Sequence, residues 1–383
     1  PRRPAFPCSQ KVACFAYAPD PQRTLRRSRG RARCFGCLRR LRRARGPGAP
    51  SSLHRRLGGG KAGAQDDVAL VEDADRTGDP SLGAEARIAV GAFYRGERGL
   101  SLARDAIARI PRDDSADLRY RASSLRLELL WESRSAADPE CRRAADDTFA
   151  AARDAGSPWA ELDGKLSAAA FESDGGDHAA ALRLLDDVAN QASIRHFGTL
   201  RRQALVNLAA IELRRGDPDR AESSAALAVA ECNAAGSTLA AVATSIRADA
   251  LLRLDRAPEA LMAIDEALRL KAEARDANVA LALLRKAEIE SCLERPSEAT
   301  ATATQALDSA RALGNEDQSL CRLWLALHAF RSDAQGGKAA LVALVAELAP
   351  HEDRLRPASR ALLTTAKRCA ATEDSALGAR LLP

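Results

Sequence analysis

The chain has 383 residues, with 58 Lys/Arg against 52 Asp/Glu for a formal net charge of +6. Hydrophobic residues make up 46% but aromatic residues only 4%, so the apolar side chains are mostly Ala and Leu. Strands favour β-branched and aromatic side chains, which excludes an all-β sandwich or barrel and points to helices.

The charge is split along the chain. Residues 1–61 hold 17 Lys/Arg and a single acid, Asp20, whereas the remainder carries a net negative charge. Residues 1–65 show no sustained period and are rich in Arg, Pro, Gly and Ser. Such a segment cannot bury enough apolar surface to offset its ordering entropy, which predicts disorder. Its arginines at 26–27, 29, 31, 33, 39–40 and 42–43 are suited to phosphates, so weak contact with nucleic acid or an anionic surface is expected through residues 23–45. Cys34-Phe35-Gly36-Cys37, with Cys8 and Cys14, supplies four thiols, but the 8/14 spacing is too loose for a zinc knuckle. Gly58-Gly59-Gly60-Lys61 lacks the glycine spacing and hydroxyl of a phosphate-binding loop and reads as linker. The opening at Pro1 points to a partial or processed chain.

Asp73-Ala74-Asp75-Arg76-Thr77-Gly78-Asp79 has the alternating oxygens of a calcium loop. The position of its closing carboxylate holds Ala84, so an acidic linker is expected. From residue 66 onward Ala/Leu-rich helical periodicity takes over. Gly, Pro, Asn and Asp clusters interrupt it at short intervals, at Arg95–Gly99, Pro111–Ser115, Ala136–Pro139, Gly156–Pro158 and Asp174–Asp177, and onward to Pro350. About fifteen helices of roughly 12 to 20 residues result. Their short connections force antiparallel neighbours.

An internal repeat organises the later part. Leu213 to Ala221 reads LRRGDPDRA, Leu252 to Ala260 reads LRLDRAPEA, and Ser291 to Ala299 reads SCLERPSEA. Phe330 to Ala339 reads FRSDAQGGKA, one residue longer, and each start lies 39 residues after the one before. Ala209, Ala248 and Ala287 precede these turns by one fixed spacing, and Ala228, Ala267 and Ala306 follow by another. Small residues at matched positions let two helix axes approach closely. Leu261, Ile264 and Leu268 add an apolar stripe. A helix pair with apolar surface on both sides hides it by stacking on the next pair, which is a solenoid.

The trio of small residues around a Gly/Asp/Pro turn such as Gly216-Asp217-Pro218-Asp219 resembles the tetratricopeptide repeat family. The resemblance covers 197–346 clearly and 82–192 in degenerate form. The stride is longer than the family's usual one, and Ala and Leu replace its large aromatics. Longer repeats of this kind resemble helical arrays of bacterial signalling kinases and transcriptional activators. The implied fold is all-α: an α-solenoid of about seven antiparallel helix pairs over 66–383, behind a disordered basic segment.

None of the five His sits in a recognisable catalytic or metal motif, so no catalytic residue, cofactor or metal is assigned and the chain is not read as an enzyme. The resemblance implies a groove lined by the first helix of each pair. It would hold Gln203, Asn207, Ser245, Asp249, Leu284, Arg285 and Glu288, with Trp324 as either core or anchor. Asp249 and Glu288 occupy equivalent repeat positions and would favour a basic or neutral peptide. The implied function is a scaffold whose groove binds a protein or peptide in a bacterial regulatory or signalling assembly. The alternative is a regulatory C-terminal part of a kinase or activator that contacts nucleic acid through the tail. Isolated thiols within helices suit the cytoplasm, and no membrane-spanning stretch is expected.

Overall fold

A computed structural model describes residues 64–371, apart from 93–95, 111–115, 134–137, 275, 277–278, 314–316, 333 and 356. The basic segment, with its Cys8, Cys14 and Cys34–Cys37 thiols and its expected nucleic-acid contact, lies outside the described residues.

Sixteen α-helices follow one another, and the described residues contain no strand. They are α1 (Ala64–Asp75), α2 (Pro80–Gly91), α3 (Gly96–Arg109), α4 (Ala116–Ser133), α5 (Pro139–Asp154), α6 (Pro158–Asp174), α7 (His178–Ile194) and α8 (Gly198–Arg215). The series continues with α9 (Pro218–Ala234), α10 (Leu239–Arg253), α11 (Ala257–Glu273), α12 (Ala280–Cys292), α13 (Pro296–Ala312), α14 (Asp317–Ser332), α15 (Ala334–Leu348) and α16 (Pro357–Ala371). A short 3-10 turn, Ala349–Arg354, precedes α16. Helices α2 to α15 form seven antiparallel pairs. Two compact units share them, one ending at Ala204 and the other beginning at Leu205, both within α8.

Within each unit, successive helices pack on one another, as α2 on α3 and α10 on α11. Within the C-terminal unit the first helix of one pair also touches the first helix of the next, α10 on α12 and α12 on α14. This nearest-neighbour pattern defines a stacked repeat array. Its chemical basis is the small-residue positions. Ala209, Ala248 and Ala287 on the first helices are fully buried, as are Ala221, Ala260, Ala299, Ala228, Ala267 and Ala306 on the second helices. Ile264 is fully buried between α10 and α12, with Leu261 and Leu268 half-buried beside it.

The turns repeat at the level of single backbone angles. After α8, α10 and α12 the chain steps through a left-handed residue, Gly216 (φ 86°), Asp255 (φ 59°) and Glu294 (φ 58°). The next amide then reaches back to the helix: Asp217 N–H to Glu212 C=O, Arg256 to Leu251 and Arg295 to Glu290, each at 3.0 Å. This Schellman closure satisfies carbonyls that the helix end leaves open. A proline at the first or second position of α9, α11 and α13 then starts the return helix. Only glycine adopts the left-handed region freely. Glu294→Gly is therefore expected to stabilise the C-terminal unit by about 1 kcal/mol, seen as a higher urea midpoint. Asp255→Gly should gain less, because Asp tolerates this region better.

The fourth turn departs from the expected lengthening. Helix α14 runs to Ser332 and α15 starts at Ala334, so the connection is shorter. Counted from the start of its helix, Gly337 takes the place of Ala221, Ala260 and Ala299, and Ala339 is not the equivalent residue. The reason is closeness. A Cβ on Gly337 would lie 2.5 Å from both the Phe330 N and Cα atoms, so only glycine fits against the α14 backbone.

The acidic stretch at 73–79 is not a loop throughout. Asp73 and Asp75 sit in the last turn of α1, Gly78 makes the turn (φ 72°), and Asp79 caps α2 by accepting from the Ser81 and Leu82 amides. Asp75 accepts both Nη1 (2.7 Å) and Nη2 (2.8 Å) of Arg87, a paired fork that ties α1 to α2.

Candidate functional site

The first helices α10, α12 and α14 bring the C-terminal candidates together. Asp249 (7% exposed) lies near the end of α10, and Arg285 (8%) lies on the facing side of α12. The guanidinium meets Asp249 along one edge, with Nη2 donating to Oδ2 at 3.0 Å and Nε beside Oδ1. Its remaining Nη1 donates to Glu288 Oε2, one helical turn further on α12. Two equivalent repeat positions therefore share one cation. Burial pushes both carboxyls above their ordinary range, and Arg285 opposes the shift. The expected preference for a basic or neutral peptide assumed two uncommitted acids. Here both are engaged by Arg285.

The other candidates separate. Ser245 donates its hydroxyl to Ala241 C=O in its own helix at 2.9 Å. Leu284 and Trp324 belong to the core, in one apolar cluster with Leu281, Ala303, Leu320 and Cys321. Trp324 is 2% exposed and stacks on His328, with ring centroids 4.8 Å apart at 13°. The groove anchor is thus a core residue. The facing second helix, α13, contributes Ala299, Ala303, Ala306 and Leu307 to the same cluster. His328 Nε2 lies 3.4 Å from Pro296 C=O, and burial lowers its pKa. Asn207 is half-buried on α8. Gln203 lies in the N-terminal unit, is 4% exposed, and its Oε1 is enclosed without a hydrogen-bond partner.

Two charged residues escaped the sequence reading. Arg253 donates to Leu213 C=O at 3.3 Å, and its charge acts on both Asp249 and Glu288. Arg331 lies in the last turn of α14 and is exposed. The signal was present: Arg214, Arg253 and Arg331 fall on the 39-residue stride, with Cys292 in the remaining position. Among the described residues no group of His, Cys, Asp or Glu is arranged to hold a metal ion, and no helix is long and apolar enough to cross a membrane.

Ion pairs also join successive helix pairs. Arg247 on α10 meets Glu222 on α9 at 2.9 Å, and Lys286 on α12 meets Asp265 on α11 at 2.8 Å. These partly exposed pairs contribute at most about 1 kcal/mol each. They fix which helix faces which more than they stabilise.

Helix order, nearest-neighbour packing and buried alanines define a tetratricopeptide-like helical repeat array. No family model and no curated protein sequence matches the chain. Solved structures do match in fold. One is the signal transduction ATPase with numerous domains and a tetratricopeptide repeat sensor from Pyrococcus horikoshii (TM-score 0.55, 15% identity, 85% of this chain and 52% of that one). The chain thus spans about half the length of that ATPase. Aspartyl phosphate phosphatase F from Bacillus subtilis is similar over 99% of this chain and 95% of its own, at TM-score 0.58 and 10% identity. A Rap protein complexed with competence and sporulation factor matches over 84% and 91%, at TM-score 0.51 and 10% identity.

Proposed function

We propose that this chain is a non-enzymatic interaction scaffold. Its C-terminal unit takes a protein or peptide partner along the face formed by successive first helices. The observation that carries this reading is the side-by-side packing of α10, α12 and α14 at one constant stride. It sets equivalent side chains at regular intervals, a preorganised surface for an extended or helical segment. Asp249, Arg285 and Glu288 there are engaged with one another, and Ser245 with a carbonyl of its own helix. Support for the setting comes from the neighbours' names: a repeat sensor on a signal transduction ATPase, and a Rap protein holding competence and sporulation factor. A bacterial regulatory or signalling assembly in the cytoplasm is the context that fits them.

A photo-crosslinking amino acid tests the face. Placed at Asn207 or Ser245, both half-buried on first helices, it is expected to capture a discrete partner from source-cell extract. Placed at Met262, exposed on the second helix α11, it is expected to give at least about fivefold less. Equal or greater capture from Met262 would move the binding surface to the second helices.

A further inference from the structure

We propose that Asp249, Arg285 and Glu288 form a proton-linked joint between successive repeats: the two carboxylates held against one guanidinium take up a single shared proton as the pH falls, and this tightens α10 on α12. The proposal is independent of any partner.

The geometry sets the charge. Arg285 donates Nη2 to Asp249, with Nε against the same carboxylate, and donates Nη1 to Glu288, so one guanidinium contacts two anions where α10 packs on α12. All three side chains are about nine-tenths buried. One negative charge is therefore in excess at a site poor in water, and a buried charge without its own partner is costly. A proton from solvent on either carboxyl oxygen cancels it without breaking the contact to Arg285. The two carboxyls titrate as a pair, so the proton belongs to the pair rather than to one residue.

Arg253 is a second cation that offsets part of this excess, yet burial still outweighs both arginines at each carboxyl. Arg253 of α10 lowers both carboxyls through its charge while donating to the Leu213 carbonyl. From α12 comes Cys292, whose thiol senses Glu288, Arg285, Arg331 of α14 and Asp255 of the turn after α10. Glu222 of α9 and Asp265 of α11 pair with Arg247 and Lys286. These bases sit two residues from Asp249 and Glu288, about 200° around their helices. On α13, Glu298, Asp308 and Arg311 are exposed to solvent.

The sign follows from linkage. Burial raises both carboxyls in the folded array above their unfolded values near 3.8 and 4.5. Their contribution is then fully present below those values and is lost as the pH rises through the raised ones. One proton corresponds to at most a tenfold change in the local opening constant per pH unit.

Hydrogen exchange of the full chain, read by mass spectrometry on peptides from 239–253 and 280–292, tests this between about pH 4.5 and 8. After correction for intrinsic exchange, protection of both helices is expected to fall with rising pH by up to about tenfold per unit, while α5 stays level. In Glu288→Gln the profile is expected to flatten, with high protection retained at the alkaline end. Asp249→Asn should flatten it too. A level profile for α10 and α12 in the unsubstituted chain overturns the proposal and needs no variant to fold. So does a slope that persists in Glu288→Gln.

Discussion

Gly337→Ala is expected to destabilise the end of the C-terminal unit by about 3 kcal/mol, the upper part of the range for overpacking. The added methyl would meet the backbone of Phe330 and Ala329 at 2.5 to 2.7 Å. A backbone inside a helix cannot swing aside as a long side chain does, so α15 must move away from α14. That movement opens the cluster that joins Phe330, Leu341, Leu344 and Leu363 across α14, α15 and α16. Hydrogen exchange of peptides from 317–371 should show the loss. A control is Gly176→Ala, where φ is 94° but nothing lies within 4 Å. Its cost comes from backbone strain alone, about 1–2 kcal/mol. If Gly337→Ala changes protection by less than Gly176→Ala does, the close approach of α14 and α15 is wrong.

Asp75→Ala is expected to cost the N-terminal unit about 3 kcal/mol, because it strands a buried guanidinium. The Arg87 side chain is 7% exposed and keeps the Gly83 carbonyl, at 3.1 Å from Nη1, as its hydrogen-bond partner, with the Asp105 charge acting on it from α3. Arg109, 3.5 Å from Asp75, is too exposed to matter as much. The same fork holds the Asp75 carboxyl below its ordinary value of 3.8, chiefly through the hydrogen bond from Arg87. A depressed carboxyl contributes stability above its unfolded value and loses it as pH falls through the folded one. Acid should therefore loosen α1 from α2 below about pH 4, the opposite trend to the Asp249–Glu288 joint. Trp131 and Trp159 report on this unit, so urea unfolding followed by their fluorescence at pH 7 and pH 3 is a direct reading. Equal midpoints for Asp75→Ala and the unsubstituted chain at pH 7 would show that the fork adds nothing.

Most of the architecture was legible because the repeat is written in small residues. Nine alanines at matched positions announce where two helices must touch, and all nine are buried without remainder. The turns were legible for a similar reason, although their recurrent left-handed residue was hidden where Asp255 and Glu294 replace glycine. The fourth turn misled. Counting letters aligned Ala339 with Ala299, whereas the shorter connection makes Gly337 the contact residue. A sequence shows that a glycine is present but not which backbone leans on it.

The candidate site was half legible. Periodicity placed Asp249 and Glu288 at equivalent positions, and it placed Arg285 one turn before Glu288. It did not show that Arg285 reaches across to the preceding helix and takes both acids. That contact depends on the stagger between α10 and α12, which no property of either helix alone determines. Trp324 went to the core for a related reason: its burial depends on the packing of α12, α13 and α14 around it, with Leu284, Ala303, Ala306 and Leu307 in one cluster.

Removal of one complete repeat, residues 218–256, tests most directly whether the array rests on stacked pairs at a constant stride. The cut joins Asp217 to Ala257, which takes the place of its repeat equivalent Pro218, so α8 would meet α11 in the register it now has with α9. The shortened chain is expected to keep its helicity per residue and to unfold cooperatively, because each pair needs only a neighbour of the same shape. A deletion about ten residues shorter, which breaks the register, should lose both properties. Equal collapse of the two deletions would contradict the stacked-repeat architecture.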